Sequence, residues 1–310
     1  MIFDTLLERV RRGPRRRMAV AGAGERAVLA AALRAADERI ADPILIGDGR
    51  EIERLARELG VSPDRLEIDH RASDALTAAR TVERIREGDA AVVMKGRVHT
   101  ATLMREGLRG GLRPPGAILT HVALYGGSRF RRPLAVSDAA LIPEPTFEQR
   151  LAIVRNAVFA MRRLGIAEPR VALLAASEEV DDKFPASVDA ARLAAQNAPG
   201  GLLEGCGVVE GPMDLGAAVD AHTADVKGVR GRVAGRADVL IAPDLVSANL
   251  LGKAVIYFAE GRVGGCVIGA ARPIAMVSRA SPPEDKLRSI LFAVAVCEPE
   301  DRQDAGGAKP

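Results

Sequence analysis

The chain has 310 residues, with 44 lysines and arginines against 41 aspartates and glutamates, and 48% of it is apolar. That balance excludes a disordered chain, and near-neutral charge with 3% aromatic residues gives nucleic acid little to bind or stack upon. No apolar run reaches the roughly 18 residues of a membrane helix, and the length suits two α/β domains or one large one.

The elements alternate along the chain. A helix is predicted over 2–12, ending in a run of six arginines between Arg9 and Arg17 that reads as a solvated helix end. The apolar stretch after it is cut by Glu25 and Arg26, too early for an export core. Strands are expected at 18–21, 43–48, 66–69 and 90–94, separated by helices at 25–40, 51–59 and 73–87. A helix at 100–108 and strands at 117–125 and 134–140 complete the first half. Past a joint at Pro143–Pro145, helices are expected at 147–164, 187–198, 215–221, 247–259 and 283–296. Strands are expected at 170–176, 207–210, 237–242, 265–269 and 273–277, and residues 301–310 read as a frayed tail. Strands flanked by helices favour parallel pairing with both faces covered. Cys206, Cys266 and Cys297 are widely spaced and odd in number, as expected of reduced thiols in a cytoplasmic protein.

Three segments carry candidate chemistry. Gly22-Ala23-Gly24 follows a strand and opens a helix, and Asp48 lies 24 residues beyond Gly24. That spacing suits either a dinucleotide-binding loop with its ribose acid or a plain tight turn. The dinucleotide option would make the protein an NAD(P)-dependent oxidoreductase. Against it, Glu25 would set a carboxylate beside the incoming pyrophosphate, and Asp48 follows Gly47 in a turn signal. Next, Lys95 ends a buried strand and Thr100 is placed to cap the following helix, which also carries Arg105. This is an anion site or ordinary capping with surface charge. Last, Ser278, Arg279, Glu284 and Asp285 bring a hydroxyl, a guanidinium and two carboxylates within eight positions. They can polarise a carbonyl, hold an anion and accept a proton, or simply form a turn with acids at a helix start. His121 sits in an apolar run, where a lone histidine is more often a satisfied core residue than a ligand.

Taken together, Met94-Lys95-Gly96 with Thr100 and Arg105, Leu119-Thr120-His121-Val122, Gly211-Pro212-Met213-Asp214-Leu215 and Val233 through Asp238 form a pattern. It continues in Ala242-Pro243-Asp244-Leu245, Asn249, Lys253, Tyr257-Phe258-Ala259 and Gly269 through Arg279. This order and spacing resembles the phosphate acetyltransferase/phosphate butyryltransferase family, its shorter butyryltransferase-like branch most of all. The resemblance implies reversible exchange of a short acyl group between coenzyme A and inorganic phosphate, giving acyl phosphate. It implies no metal or redox cofactor, coenzyme A and acyl-CoA being substrates. It further implies two α/β/α lobes of the isocitrate/isopropylmalate dehydrogenase kind, with mostly parallel sheets and the active site in the cleft between them. The first lobe would comprise residues 1–143 with 282–310 and the second 144–281, in a homodimer or higher homo-oligomer. By the family motif, Ser278 would stabilise the tetrahedral species or leaving group, Arg279 would hold the phosphoryl group and Asp285 would deprotonate the thiol. Lys95, Thr100, Arg105, His121, Asn249 and Lys253 would bind substrate.

The chain departs from the family pattern at Ala248, where glycine is usual, at Gly216, where aspartate is common, and at Ser281, which replaces an acid. The last departure leaves Glu284 competing with Asp285, whose spacing from Ser278 favours it. A non-catalytic relative that binds acyl-CoA would show the same motifs without turnover.

Overall fold

The computed structural model describes residues 2–128, 130 and 132–297. The expected tail at 301–310 lies outside the described residues. The chain opens with α1 (Ile2–Arg12), β1 (Arg16–Ala21), α2 (Arg26–Asp37), β2 (Ala41–Gly47), α3 (Gly49–Glu58) and β3 (Glu67–His70). It continues through α4 (Asp74–Arg86), β4 (Val92–Lys95), α5 (Thr100–Arg109), β5 (Thr120–Gly126), β6 (Leu134–Ser137), α6 (Phe147–Arg163) and β7 (Arg170–Leu174). Then come α7 (Pro185–Ala195), β8 (Val208–Met213), α8 (Leu215–Val219), α9 (Ala221–Val226) and β9 (Val239–Ile241). The last elements are α10 (Leu245–Phe258), β10 (Arg262–Ile268), β11 (Ile274–Ala275) and α11 (Pro283–Val296).

The strands form one sheet of eleven, in the order β3-β2-β1-β4-β11-β10-β5-β6-β9-β7-β8. Both flanks are parallel, as expected of strands joined through helices. The antiparallel pairs all lie in the middle, β11 with β10, β10 with β5 and β5 with β6. Through them the sheet runs unbroken where separate sheets were expected. β11, from the second half of the chain, lies between β4 and β10, and β5 and β6, from the first half, stand beside β10 and β9.

The hydrophobic pattern explains which faces are covered. On β5, Val122 and Leu124 join the core that includes α11, whereas Ala123 and Tyr125 face a second core with Val263 and Ala248. This is the period-2 alternation of a strand. α11 is apolar nearly all round and accordingly buried, packing on α1, α2 and β10.

Local chemistry accounts for the shifted boundaries. The helix expected at 215–221 is two short helices, because Asp220 accepts from Thr223 N at 2.7 Å and caps a new start. The strand expected from 117 begins only at Thr120, after Pro114, Pro115 and a turn at Gly116. The strand expected at 207–210 runs on to Met213. Among the described residues no helix is long and apolar enough to cross a membrane.

Candidate active site

A cavity of about 420 Å³ opens above the antiparallel centre of the sheet. Its floor is His121, Ala123 and Tyr125 on one face of β5, with Val263 of β10. One wall is α10, through Ala248, Asn249, Gly252, Lys253 and Ile256. The other is Lys95 at the end of β4, Thr100 at the start of α5, and the loop after β11 carrying Ser278, Arg279 and Ser281. Seven of the nine residues proposed from the sequence thus meet around one space: Lys95, Thr100, His121, Asn249, Lys253, Ser278 and Arg279.

The other two do not line it. Arg105 points from α5 into solvent, its side chain 59% exposed and nearest to Glu106. Asp285 is buried in the first turn of α11, paired with Arg288 at 2.5 Å. Its charge acts on Tyr125, and the backbone of Val263 hydrogen-bonds to its carboxylate. Burial pushes its carboxyl above the usual carboxylate range, against the pull of Arg288. Thr100, expected as a cap, is instead the first helical residue, with His99 at the cap position.

Positive charge gathers at Lys95 and Arg279. Lys95 is half-buried, and burial followed by the nearby Arg279 charge lowers its pKa below the usual lysine value. Two cations in mutual repulsion favour an anion between them. The lining also includes the small or apolar Ala123, Ala139, Ala248, Gly252, Ile256 and Val263, with Asn249 and Lys253 between them on α10. Gly252 fits α10 closely over the Tyr125 ring. A Cβ there would lie 2.2 Å from the Tyr125 hydroxyl, so any other residue would force the Tyr125 ring or α10 to shift. Placing glycine mid-helix forgoes about 1 kcal/mol of helix propensity.

His121 is buried at the junction. Its backbone N–H donates to Asp138 Oδ2 at 2.9 Å, and its ring Nε2 meets the carbonyl of Met276 at 2.9 Å. A carbonyl only accepts, so Nε2 carries the proton. Burial lowers the imidazole pKa although the Met276 carbonyl and Asp138 oppose this, so the ring is neutral at pH 7. Nδ1 has no hydrogen-bond partner among the described residues.

The alternative glycine motif is filled by protein. Gly22 adopts φ +81°, and the backbone of the loop after β4 lies directly on its turn. Gly96 N donates to Ala21 O at 2.9 Å and Arg97 N to Gly22 O at 2.9 Å. A Cβ on Gly22 would be 2.8 Å from Val98 N, so no space remains for a pyrophosphate. Asp48 is the cap of α3, accepting from Arg50 N, and Glu25 caps α2 by position. These contacts remove the physical basis of the dinucleotide reading.

Sequence reasoning missed Tyr125 and Lys286. Lys286 donates to three carbonyls of the Ser278–Arg279 loop. A signal existed for each: a tyrosine inside an apolar strand requires a polar partner, and a lysine is misplaced in a helix's first turn.

The sequence profile of the phosphate acetyl/butaryl transferase family matches residues 71–294. A phosphate butyryltransferase from Clostridium beijerinckii is 36% identical over 296 residues, covering 95% of this chain and 97% of that protein. A phosphate acetyltransferase from Thermotoga maritima is 34% identical over 298 residues, covering 94% and 99%. The crystal structure of a branched-chain phosphotransacylase from Enterococcus faecalis superposes with a TM-score of 0.79 at 27% identity, covering 91% of this chain and 99% of that one. With the profile spanning most of its length and such relatives matching nearly end to end, the chain belongs to the phosphate acetyl/butaryl transferase family.

Proposed function

We propose that the protein is a phosphate acyltransferase, exchanging a short acyl group between coenzyme A and inorganic phosphate. The observation that carries the reading is the mixed lining of the cavity. Lys95 and the neighbouring Arg279 line it together with the Ser278 hydroxyl, and the same cavity carries small and apolar side chains from β5, α10 and β10 beside Asn249 and Lys253. Such a space takes an anion and a short acyl chain side by side.

In the thioester direction, a phosphate oxygen attacks the acyl carbon, the C–S bond breaks, and the proton given up by the phosphate passes to the departing thiolate. In reverse, the thiol loses its proton and sulfur displaces phosphate. Arg279 and Lys95 hold the phosphoryl oxygens, and Ser278 donates to the oxygen on which charge develops. Asp285 is the base assigned to the thiol proton, and its raised pKa suits it to that task. Because its carboxylate is paired with Arg288 and does not line the cavity, the exchange requires it to leave that partner and turn toward the reactants. Thr100, His121, Asn249 and Lys253 line the space around the reactants, and Arg105 offers an exposed cation to the anionic coenzyme. No electrons change hands and the charges are met by side chains, so the chemistry requires neither metal nor redox cofactor.

The finer architecture belongs to the same proposal: two lobes of the isocitrate/isopropylmalate dehydrogenase kind, 1–143 with 282–310 and 144–281, with the cleft between them. Its support is that the cavity draws on both sets of residues, while α11 returns to pack on α1 and α2. A homodimer or larger homo-oligomer fits the exposed Leu250, Tyr257 and Phe258 on α10.

Mixing the protein with acetyl-, butyryl- or hexanoyl-CoA and phosphate should release free thiol. Ser278→Ala and Arg279→Ala should each lower turnover about 10²-fold or more. Absence of thiol release from any of the three thioesters would refute the activity, and binding without turnover would indicate a non-catalytic relative.

A further inference from the structure

Lys286 is in an unfavourable place for a lysine. It belongs to the first turn of α11, where Pro282 is the cap and Pro283 the first helical residue. A cation at this end opposes the helix dipole, and the residue is 4% exposed, so it also gives up hydration. Burial accordingly pushes its ammonium pKa down, with Glu25 and Asp285 pulling it back up. Helix stability alone would select against it.

Its partners account for the placement. The Nζ donates to the carbonyl oxygens of Ser278 at 3.4 Å, Arg279 at 3.0 Å and Ser281 at 2.8 Å. An ammonium has three N–H donors, and these three acceptors match that number. The Glu25 carboxylate, at the cap of α2, lies 3.9 Å from the same nitrogen. Among the described residues the loop so held has few other hydrogen bonds to fix it. Its own backbone closes, among the same described residues, on one turn hydrogen bond, Ser281 N to Ser278 O at 3.0 Å. Yet this loop brings both Ser278 and Arg279 to the cavity.

We propose that Lys286 is a positioning residue: by tying three backbone carbonyls of the 278–281 loop, it aims Ser278 and Arg279 into the cavity beside Lys95, with Glu25 balancing its charge. This rests on the reading of that place as the phosphate site. The side chain touches no reactant; it acts through the loop.

The test is Lys286→Met, which keeps the length and apolar stem but has no donors. Turnover is followed by thiol release, and phosphate binding separately by the rise in thermal midpoint with inorganic phosphate. The expected result is a folded variant whose KM for phosphate rises tenfold or more, with the KM for acyl-CoA within threefold of wild type. A drop in kcat of about 10²-fold should accompany it, the scale for a misaligned group. The phosphate-induced midpoint shift should shrink in parallel. If Lys286 merely glued the helix in place, the variant would lose folded protein while keeping both KM values, and that outcome overturns the proposal. So does a folded variant with wild-type phosphate KM and midpoint shift. Should Lys286→Met not fold, Lys286→Gln, neutral but with two donors, is read the same way, with a phosphate KM raised at least threefold expected. Wild type that releases no thiol, yet loses its phosphate shift on substitution, would defeat acyl transfer and leave the positioning role standing. Wild type with neither turnover nor a phosphate shift would end both.

Discussion

Gly265 of β10 is the position at which fold and site are tied most tightly, and Gly265→Ala should damage both. An added Cβ would stand 2.1 Å from Met276 O and 2.7 Å from His121 Nε2, where real Cβ contacts are essentially never under 3.0 Å. The Met276 carbonyl would have to retreat by about 0.9 Å, and it is backbone, without rotamers to yield. Two hydrogen bonds depend on that place: Met276 N to Gly265 O at 2.9 Å and His121 Nε2 to Met276 O at 2.9 Å. At about 1 kcal/mol each, plus overpacking strain of about 1–3 kcal/mol, the destabilisation should be roughly 3–5 kcal/mol. Ser278 lies two residues beyond Met276, so a comparable shift should reach it and lower turnover about 10²-fold. Urea denaturation reads the first effect and thiol release by the folded variant the second. An unchanged urea midpoint, with turnover within threefold of wild type, would refute the claim that this contact is incompressible.

Burial raises the Asp285 pKa, and a base works only when ionised, so kcat/KM should fall as pH drops through a value above the ordinary carboxylate range. Asp285→Asn should abolish that acid limb along with most turnover; a limb that persists would assign the base elsewhere, Glu284 being the neighbour to test. Asp69 behaves oppositely: burial raises its pKa, but hydrogen bonds from Arg80 and Arg84 and the charge of Arg71 outweigh this and lower it. Its stabilisation is therefore full above the unfolded-state pKa and lost as pH falls through the lower folded one. Asp69→Asn should be less stable than wild type near neutrality, with the gap closing in acid; a constant gap in urea midpoints across pH would contradict this. Arg105→Ala, removing an exposed cation, should raise the KM for acyl-CoA by up to about fivefold at unchanged kcat. A loss of kcat instead would place Arg105 at the reaction centre.

How far the sequence could be read follows from the range of each interaction. Ser278 and Arg279 were legible because they are adjacent in the chain, and a strand followed by a short loop delivers both to one place. Lys95 was legible at the end of an apolar strand for the same reason. The single sheet was not, because it depends on β10 pairing with β5, where Cys266 stands opposite Val122. No local pattern announces a partner so far away in the chain. Arg105 is expected among the substrate-binding residues from the family resemblance, and on its helix it lies five residues past the cavity-lining Thr100, which turns it about 140° away. Lys286 escaped because its partners are backbone carbonyls, which every residue type supplies equally. The Gly22 turn is the most instructive instance. Its glycine does mark a backbone approached closely from outside, as the spacing indicated, but that signal carries the steric demand without the identity of what meets it. Here the occupant is the loop after β4, hydrogen-bonded through Gly96 and Arg97. The same closeness that a nucleotide fold uses for a pyrophosphate serves in this chain to hold Lys95 against the cavity.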